Sequence, residues 1–431
     1  MRAGTRPATA NGIGDVVEIA NSAAAHRASL SDARRAAISE AVAAGARAQT
    51  LPHADALVPL SAIAADQWRG LAERAIEPNG YYLPEWELAV NAFAPGRTSV
   101  SVLSTWSDAE SGGADLIGLL PAISLWRACK IPLPALVSGD PYGTLGTALL
   151  DRDRARDAVA GLMRQARGAG AHALILRDVT LDGAVMKAFA EVLGQSGMAP
   201  CVLQSHCRAC LDASGDADAL LREALGPKKL KELRRQRNRL AEHGEVRFEV
   251  ARTPDEVAGA LEIFLTLEAS GWKGRRGTAL NQEDGDAAFI RRATVELADK
   301  AQCEIVTLRA GATPVAAAIV IRHQDRAFYF KLGVDERFAK LSPGVQLTLD
   351  LTRYLCADPA IASADSTAAP GHPMIDPIWR GRLAIGDVLI PLRPADSTVS
   401  LIHAALKLHR LVRETARSTL RFIRSRREKR T

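Results

Sequence analysis

The sequence predicts an α/β protein made of two tandem domains of one kind, each a mixed, largely antiparallel sheet flanked by helices. Three observations predict it. One order of elements (strand, helix, helix, hairpin, strand or loop, helix, strand, helix, strand) returns after about 200 residues with little residue identity. Two hairpins, 99–106 with 116–125 and 303–309 with 315–322, call for antiparallel pairing and count against a single doubly wound parallel sheet. The ends also differ from the body: residues 1–55 are rich in Ala, Arg and Ser, and 396–431 are strongly basic.

The chain has 431 residues, 47% hydrophobic and 24% charged, a balance that fits a folded protein of more than one domain. The arm 1–55 has almost no large apolar side chains and is expected to be flexible. The first domain is placed at 56–211, the second at 212–395, and a basic amphipathic helix at 396–431. No stretch of 18 uninterrupted apolar residues occurs, so no membrane-spanning helix is expected. The first 55 residues hold no apolar signal core, which points to the cytoplasm. Cys129, Cys201, Cys207, Cys210, Cys303 and Cys356 stand in apolar surroundings and read as reduced, buried cysteines. Cys207 and Cys210 with His206 lack a second ligand pair at matching spacing, and no metal is expected.

In the first domain a short strand at 57–60 precedes Trp68, Leu71, Ala72 and Ala75 at helical spacing, a helix ended by Glu77-Pro78-Asn79-Gly80. Pro84 opens a helix carrying Trp86, Leu88, Val90 and Phe93, and the first hairpin follows. The Pro- and Gly-broken stretch 132–142 reads as a loop leading to Leu149. A helix at 155–167, a strand at 173–179, a helix at 184–195 and a strand at 202–211 complete the unit. The second domain opens with helical segments 217–225 and 227–243, the latter with seven basic residues from Lys228 to Arg239 on one face and Leu230, Leu233 and Leu240 on the other. A strand at 246–251, helices at 254–270 and 286–300, and the second hairpin follow. A strand at 327–334, a helix after Gly344 and strands at 361–365 and 387–392 close the unit.

The richest stretch is 327–358. Phe328, Tyr329, Phe330, Leu332 and Val334 form a β-prone run, and after a polar connection Ser342-Pro343-Gly344 opens an apolar helix. Pro suits a first helical turn, and the Ser342 hydroxyl stands where it can cap free amides. A strand feeding a helix start beside Gly344 and Lys340 is also an anion cradle, suited to phosphate or pyrophosphate. The same Ser-Pro-Gly serves turn geometry alone in many proteins.

The order of elements, with Lys228-Lys229-Leu230-Lys231, Arg234-Arg235-Gln236-Arg237, Glu268 through Trp272-Lys273-Gly274, Ser342-Pro343-Gly344, Asp365 and Gly371-His372-Pro373, resembles the GNAT acyl-CoA N-acyltransferases. The tandem arrangement looks like the FemABX peptidyltransferases and the CelD/BcsL-type acetyltransferases of cellulose and exopolysaccharide operons. The usual Gln/Arg-x-x-Gly-x-Gly/Ala loop is absent, and Lys340 to Gly344 stands in its place.

The resemblance implies acetyl-CoA or another acyl-CoA as donor, lying along Lys331, Leu332, Gly333 and Val334, with its phosphates at Lys340, Ser342, Gly344 and Val345. It implies transfer to an amine or hydroxyl of a small-molecule or saccharide precursor of the envelope. His372, titrating nearest neutrality, is the first candidate base and Asp365 the second; His372 equally suits a Pro-flanked turn. Trp272, Lys273, Glu268, Tyr329, Trp379 and Arg380 are candidate acceptor contacts, while Trp272 and Trp379 also suit gap-filling. Two other classes stay open: aminoacyl transfer from tRNA, and a non-catalytic binding module at a membrane. The basic run lacks interleaved aromatic platforms, so nucleic acid is not expected.

From Ser400 to Thr431 there are ten Lys and Arg against Glu414 and Glu428, an excess of eight in a chain of net charge +6. The body is therefore slightly acidic. Leu401, Ile402, Leu408, Leu411 and Val412 recur at helical spacing among these cations, so peripheral contact with an anionic membrane through 399–427 is expected.

Overall fold

The computed structural model describes residues 57–94, 100–108, 114–139 and 142–428, with the backbone alone at 272–273 and 416–428. The arm expected at 1–55 lies outside these residues. The first half contains strand β1 (Val58–Pro59), helices α1 (Ala65–Glu73) and α2 (Pro84–Phe93), and strands β2 (Ser101–Asp108) and β3 (Ala114–Ser124). Helix α3 (Leu125–Cys129), strands β4 (Ala135–Ser138) and β5 (Leu149–Leu150), helix α4 (Ala155–Gly168), strand β6 (Ala173–Thr180), helix α5 (Ala184–Gly194) and strand β7 (Cys201–Asp212) follow. The second half contains helix α6 (Ala217–Ala241), strand β8 (Val246–Ala251), and helices α7 (Pro254–Ser270), α8 (Trp272–Arg275) and α9 (Asp284–Asp299). Strands β9 (Cys303–Ala310), β10 (Thr313–His323) and β11 (Arg326–Val334), helix α10 (Pro343–Cys356), strands β12 (Ser363–Asp365) and β13 (Gly381–Pro391), and helix α11 (Ser397–Glu428) complete it.

Among the described residues thirteen strands form one sheet, in the order β1-β2-β3-β4-β6-β13-β7-β12-β11-β10-β9-β8, with β5 on β3. Each half makes an antiparallel meander followed by one parallel pair, β4 with β6 and β11 with β12. The last strand of each half then crosses to the other. β13 lies against β6, and β7 lies against β12. β7 and β13 also pair with each other from Gly381↔Cys210 to Leu389↔Cys201, so the two meanders are joined by exchanged edges. This leaves no free edge at the middle of the sheet, where an exposed ladder would pair with other chains.

Local chemistry explains most boundaries. Pro occupies the first turn of α2, α7 and α10, where its missing N–H costs nothing. Thr253 and Glu256 form a capping box at α7. Gly226, at φ 70 and ψ 167, breaks α6 into the two segments expected from its sequence. The expected loop 132–142 is different: it holds β4, four residues buried throughout. A strand buried on both faces lacks alternation, and the flanking prolines hid it. Helix α3 was not expected, beyond Leu125 being read as the last residue of a strand; Ser124 starts it by accepting from the Arg127 amide at 3.2 Å.

Candidate active site

The two strands of the late parallel pair do not run together for long. Pairing covers Arg326↔Ser363, Ala327↔Ala364 and Phe328↔Asp365, after which β12 ends and β11 continues to Val334. A bulge marks the divergence: Ile319 faces Lys331 and Val320 faces Tyr329, so Phe330 is the extra residue on β11. Bulges bend a strand and re-aim its side chains. Beyond the bulge β11 runs on without β12, from Lys331 to Val334, and the last paired residues form the floor of this end of the sheet.

Phe330 points into an aromatic cluster that joins the halves, with ring centroids 5.0 Å from Trp86 and 6.0 Å from Tyr81. Trp86 packs edge-on to Phe289 at 5.0 Å, and Phe289 stacks on Tyr142 at 4.3 Å. Burial pushes the Tyr81 hydroxyl up, and it accepts from Thr144 Oγ1 at 3.2 Å.

At the floor Asp365 and Arg208, both fully enclosed, form an ion pair between β12 and the exchanged strand β7. The second Asp365 oxygen accepts from the Thr367 amide at 2.9 Å, and Arg208 Nη1 donates to the Thr144 carbonyl at 2.6 Å. Arg208 Nε has no hydrogen-bond partner among the described residues. Thr367 Oγ1 donates to the Tyr329 carbonyl at 2.7 Å, which ties the chain leaving β12 to β11 just before the bulge.

Along the continuing strand, Lys331 Nζ is 3.4 Å from Glu268 Oε1, and the buried Glu268 also accepts from the Leu280 amide at 2.9 Å. Gly333 lets α7 approach: a Cβ there would lie 3.0 Å from the Glu268 nitrogen and 3.1 Å from the Phe264 carbonyl oxygen. Past Val334, Asp335 accepts from the Arg337 amide and holds its guanidinium, which keeps the Asp335 carboxyl below its usual range.

The helix start differs from its expected form in one respect. Ser342 adopts a left-handed conformation, φ 53 and ψ 51, and its hydroxyl caps nothing. The expected cap is therefore corrected: a serine in that conformation does not turn its Oγ toward the first-turn amides. The Gly344 and Val345 amides have no acceptor among the described residues, while Gln346 bonds back to the Ser342 carbonyl at 3.0 Å. A Cβ on Gly344 would meet Leu332 Cδ2 at 3.0 Å, Val334 Cγ1 at 3.1 Å and Met374 Sδ at 3.4 Å. Glycine is thus required by the packing of β11 and the 371–376 turn against α10. Lys340 is exposed beside this start.

The structure brings together Lys331, Leu332, Gly333 and Val334 on β11, Ser342, Gly344 and Val345 at α10, Glu268 behind β11, and the turn that carries His372. His372 is half-buried and its Nδ1 accepts from the Met374 amide at 3.4 Å. Tyr329 and Trp379 lie instead in the core. Tyr329 donates to Thr348 Oγ1 at 3.2 Å and Trp379 Nε1 to Thr352 Oγ1 at 2.9 Å, fastening α10 to the sheet. Arg380 is exposed and reaches the Ala224 carbonyl at 3.4 Å. The backbone of Trp272 and Lys273 forms α8; their side chains lie outside the described residues. Of the cysteines, Cys129 and Cys303 are buried, but Cys207 is exposed on β7, against expectation, because one face of that strand looks to solvent.

Residues 227–369 match the family described as an acetyltransferase (GNAT) domain. Among solved structures the chain is similar to FemX, with a TM-score of 0.51 and 10% identity over 76% of this chain and 96% of that one. It is also similar to the C-terminal domain of a putative lysylphosphatidylglycerol synthetase from Agrobacterium fabrum (TM-score 0.47, 14% identity, 79% and 96% covered). A tandem GNAT protein from the clavulanic acid biosynthesis pathway gives a TM-score of 0.37 at 16% identity, with 79% and 99% covered. No curated protein matches. The match to a GNAT domain thus lies within the second half, and the first half repeats its strand plan.

Arg208, Thr144, Tyr81 and Thr367 were not singled out from sequence, and Phe330 was read there only as part of a β-prone run. Arg208 is one cation on an alternating strand, and only the strand exchange sets it against Asp365. The bulge at Phe330 leaves no composition signal.

Proposed function

We propose that the second half transfers an acyl group from an acyl thioester, acetyl-CoA or another acyl-CoA, to an amine or hydroxyl of a saccharide or other small envelope precursor. One observation carries the reading: the β11–β12 pairing stops at Phe328↔Asp365, and the helix start packed against the continuing strand at Leu332 and Val334 carries two amides, Gly344 and Val345, without an acceptor among the described residues. These residues fit the donor. On this reading the amide-bearing arm of the donor runs along Lys331 to Val334, the part of β11 beyond its last residue paired with β12. The two amides and Lys340 present positive charge to phosphates. In the transfer, the acceptor nitrogen or oxygen attacks the thioester carbonyl, its proton passes to a base, and the thiolate leaves when the carbon–sulfur bond breaks. His372 is assigned the base, since its turn packs through Met374 against Gly344. Asp365, neutralised by Arg208, is assigned to holding the floor of this end of the sheet.

Calorimetric titration of the full chain with acetyl-CoA tests the reading. Saturable binding is expected, weakened roughly tenfold by Lys340→Ala. His372→Ala is expected to lower turnover of acyl-CoA with an accepted acceptor about 100-fold while leaving donor affinity in place. Absence of acyl-CoA binding would overturn the donor assignment. Retention of full turnover in His372→Ala would move the base elsewhere. A second reading, aminoacyl-tRNA as donor, is favoured by the exposed Lys228, Lys229, Lys231, Arg234, Arg235 and Arg239 on α6. It predicts tRNA binding that falls steeply with salt.

A further inference from the structure

Helix α11 is fixed to the sheet along one side only. Ile402 is fully buried, in a cluster with Leu125, Val137, Ile175 and Leu389, and Arg410 Nη1 donates to the Leu203 carbonyl at 2.7 Å. On another side Leu401, Leu408, Leu411 and Val412 are 56%, 63%, 50% and 59% exposed. At helical spacing these four fall within a sector of about 100°. A single exposed leucine is ordinary, but four in one sector of an anchored helix are not.

The charge around the stripe says what covers it. Lys407 borders it, and the chain from 416 onward adds Arg417, Arg421, Arg424, Arg426, Arg427, Lys429 and Arg430 against Glu428 alone. A protein groove complementary to so many cations would itself have to be strongly acidic and apolar at once. An anionic bilayer surface offers that combination by construction. Trp126, 54% exposed, and Val202, 53% exposed, stand on α3 and β7, the elements that border a cavity of about 530 Å³ together with α11. Trp is a residue of membrane interfaces, and Lys130 lies 5.7 Å over its ring.

We propose that the outer side of α11 seats the protein on an anionic lipid surface, lying in the interface without crossing it. Among the described residues no helix is long and apolar enough to span a bilayer. The docking is independent of the transfer chemistry, and it would bring the second half to acceptors held at that surface.

The test is flotation of the full chain with vesicles of phosphatidylcholine alone and of phosphatidylcholine with about a third phosphatidylglycerol. Binding is expected on the anionic vesicles, at least tenfold weaker on the neutral ones, and weakened by 0.5 M salt as about one Debye length shrinks to a few ångström. Leu408→Asp with Leu411→Asp should reduce binding at least tenfold while leaving the circular dichroism spectrum and acetyl-CoA affinity unchanged, since neither side chain is buried. Equal binding to both vesicle types, no binding, or full binding by the double variant would overturn the proposal. Concentration-dependent dimerisation abolished by the same variant would assign the stripe to a second copy and overturn it too.

Discussion

The two halves of the sheet carry the same strand plan and end differently. Both build a meander, a parallel pair and an exchanged last strand. In the second half the chain leaves β11 through a short 3-10 turn, Glu336–Leu341, and enters α10 at once, so a helix start packs against the end of β11. In the first half the chain leaving β4 travels further before α4 begins at Ala155. Part of that connection is spent on the other half and on the strand that crosses to it: Thr144 gives its carbonyl to Arg208 of the exchanged β7, Tyr142 stacks on Phe289, and its hydroxyl bonds Asp286. The difference teaches that a repeated plan need not repeat a site. One connection positions free amides; the other straps the halves together. Whether the first half supports the second in this way is open to four measurements.

The largest effect is expected at the strap itself. Arg208→Met leaves the buried Asp365 uncompensated and should cost about 3–5 kcal/mol in denaturant unfolding. Arg208→Met with Asp365→Leu should recover much of that loss, because both charges are then gone. A loss below about 1 kcal/mol for the single change, within the range of an exposed pair, would show that the halves are not held at this point.

A second lock is sensitive to pH. His323, at the end of β10, accepts the Asn79 amide on Nδ1 at 2.8 Å and reaches the Ala72 carbonyl through Nε2 at 3.0 Å, both in the first half. Burial lowers its pKa from 6.5 to about 4. Between those values the unfolded chain binds the proton and the folded chain does not. The contribution is therefore complete above about pH 6.5 and falls as pH drops toward 4, by about 3 kcal/mol in total. Unfolding free energies at pH 7.5, 5.5 and 4.5 for the native chain and His323→Gln check this. Their difference should shrink on acidification, and a constant difference would remove His323 as the sensor.

The third measurement concerns α10. Gly344→Ala places a methyl about 3 Å from Leu332 and Val334, and overpacking of this kind costs about 1–3 kcal/mol. The equivalent change at Gly139, where a Cβ meets nothing within 4 Å, should cost less than about 0.5 kcal/mol. Equal costs would mean that β11 does not clamp the late helix start as drawn.

How much of this was legible beforehand follows the kind of interaction. Periodicity in Phe328 to Val334 and in Val345 to Leu355 placed β11 and α10 because each is a local pattern. The hairpins were equally plain, since alternation and turn residues lie side by side. The exchange of β7 and β13 was not, because nothing local distinguishes a last strand that stays from one that crosses. That blindness spread to the site: Arg208 acquires its meaning from Asp365, 157 positions away. Tyr329 and Trp379 looked like acceptor contacts and are placed in the core because their polar tips are satisfied by Thr348 and Thr352, a pairing that only the packed helix creates.

The smallest effect is expected at Ser342 and separates folding from binding most cleanly. A serine that caps a helix contributes about 1 kcal/mol. Here the Ser342 hydroxyl caps nothing, so Ser342→Ala should change unfolding free energy by less than about 0.5 kcal/mol. If the hydroxyl serves phosphate at the mouth of α10, the same change should weaken acetyl-CoA binding several-fold with stability untouched. Loss of stability without loss of affinity would return Ser342 to the role of an ordinary cap. The contrast between a helix start that binds and one that merely ends a loop would then vanish.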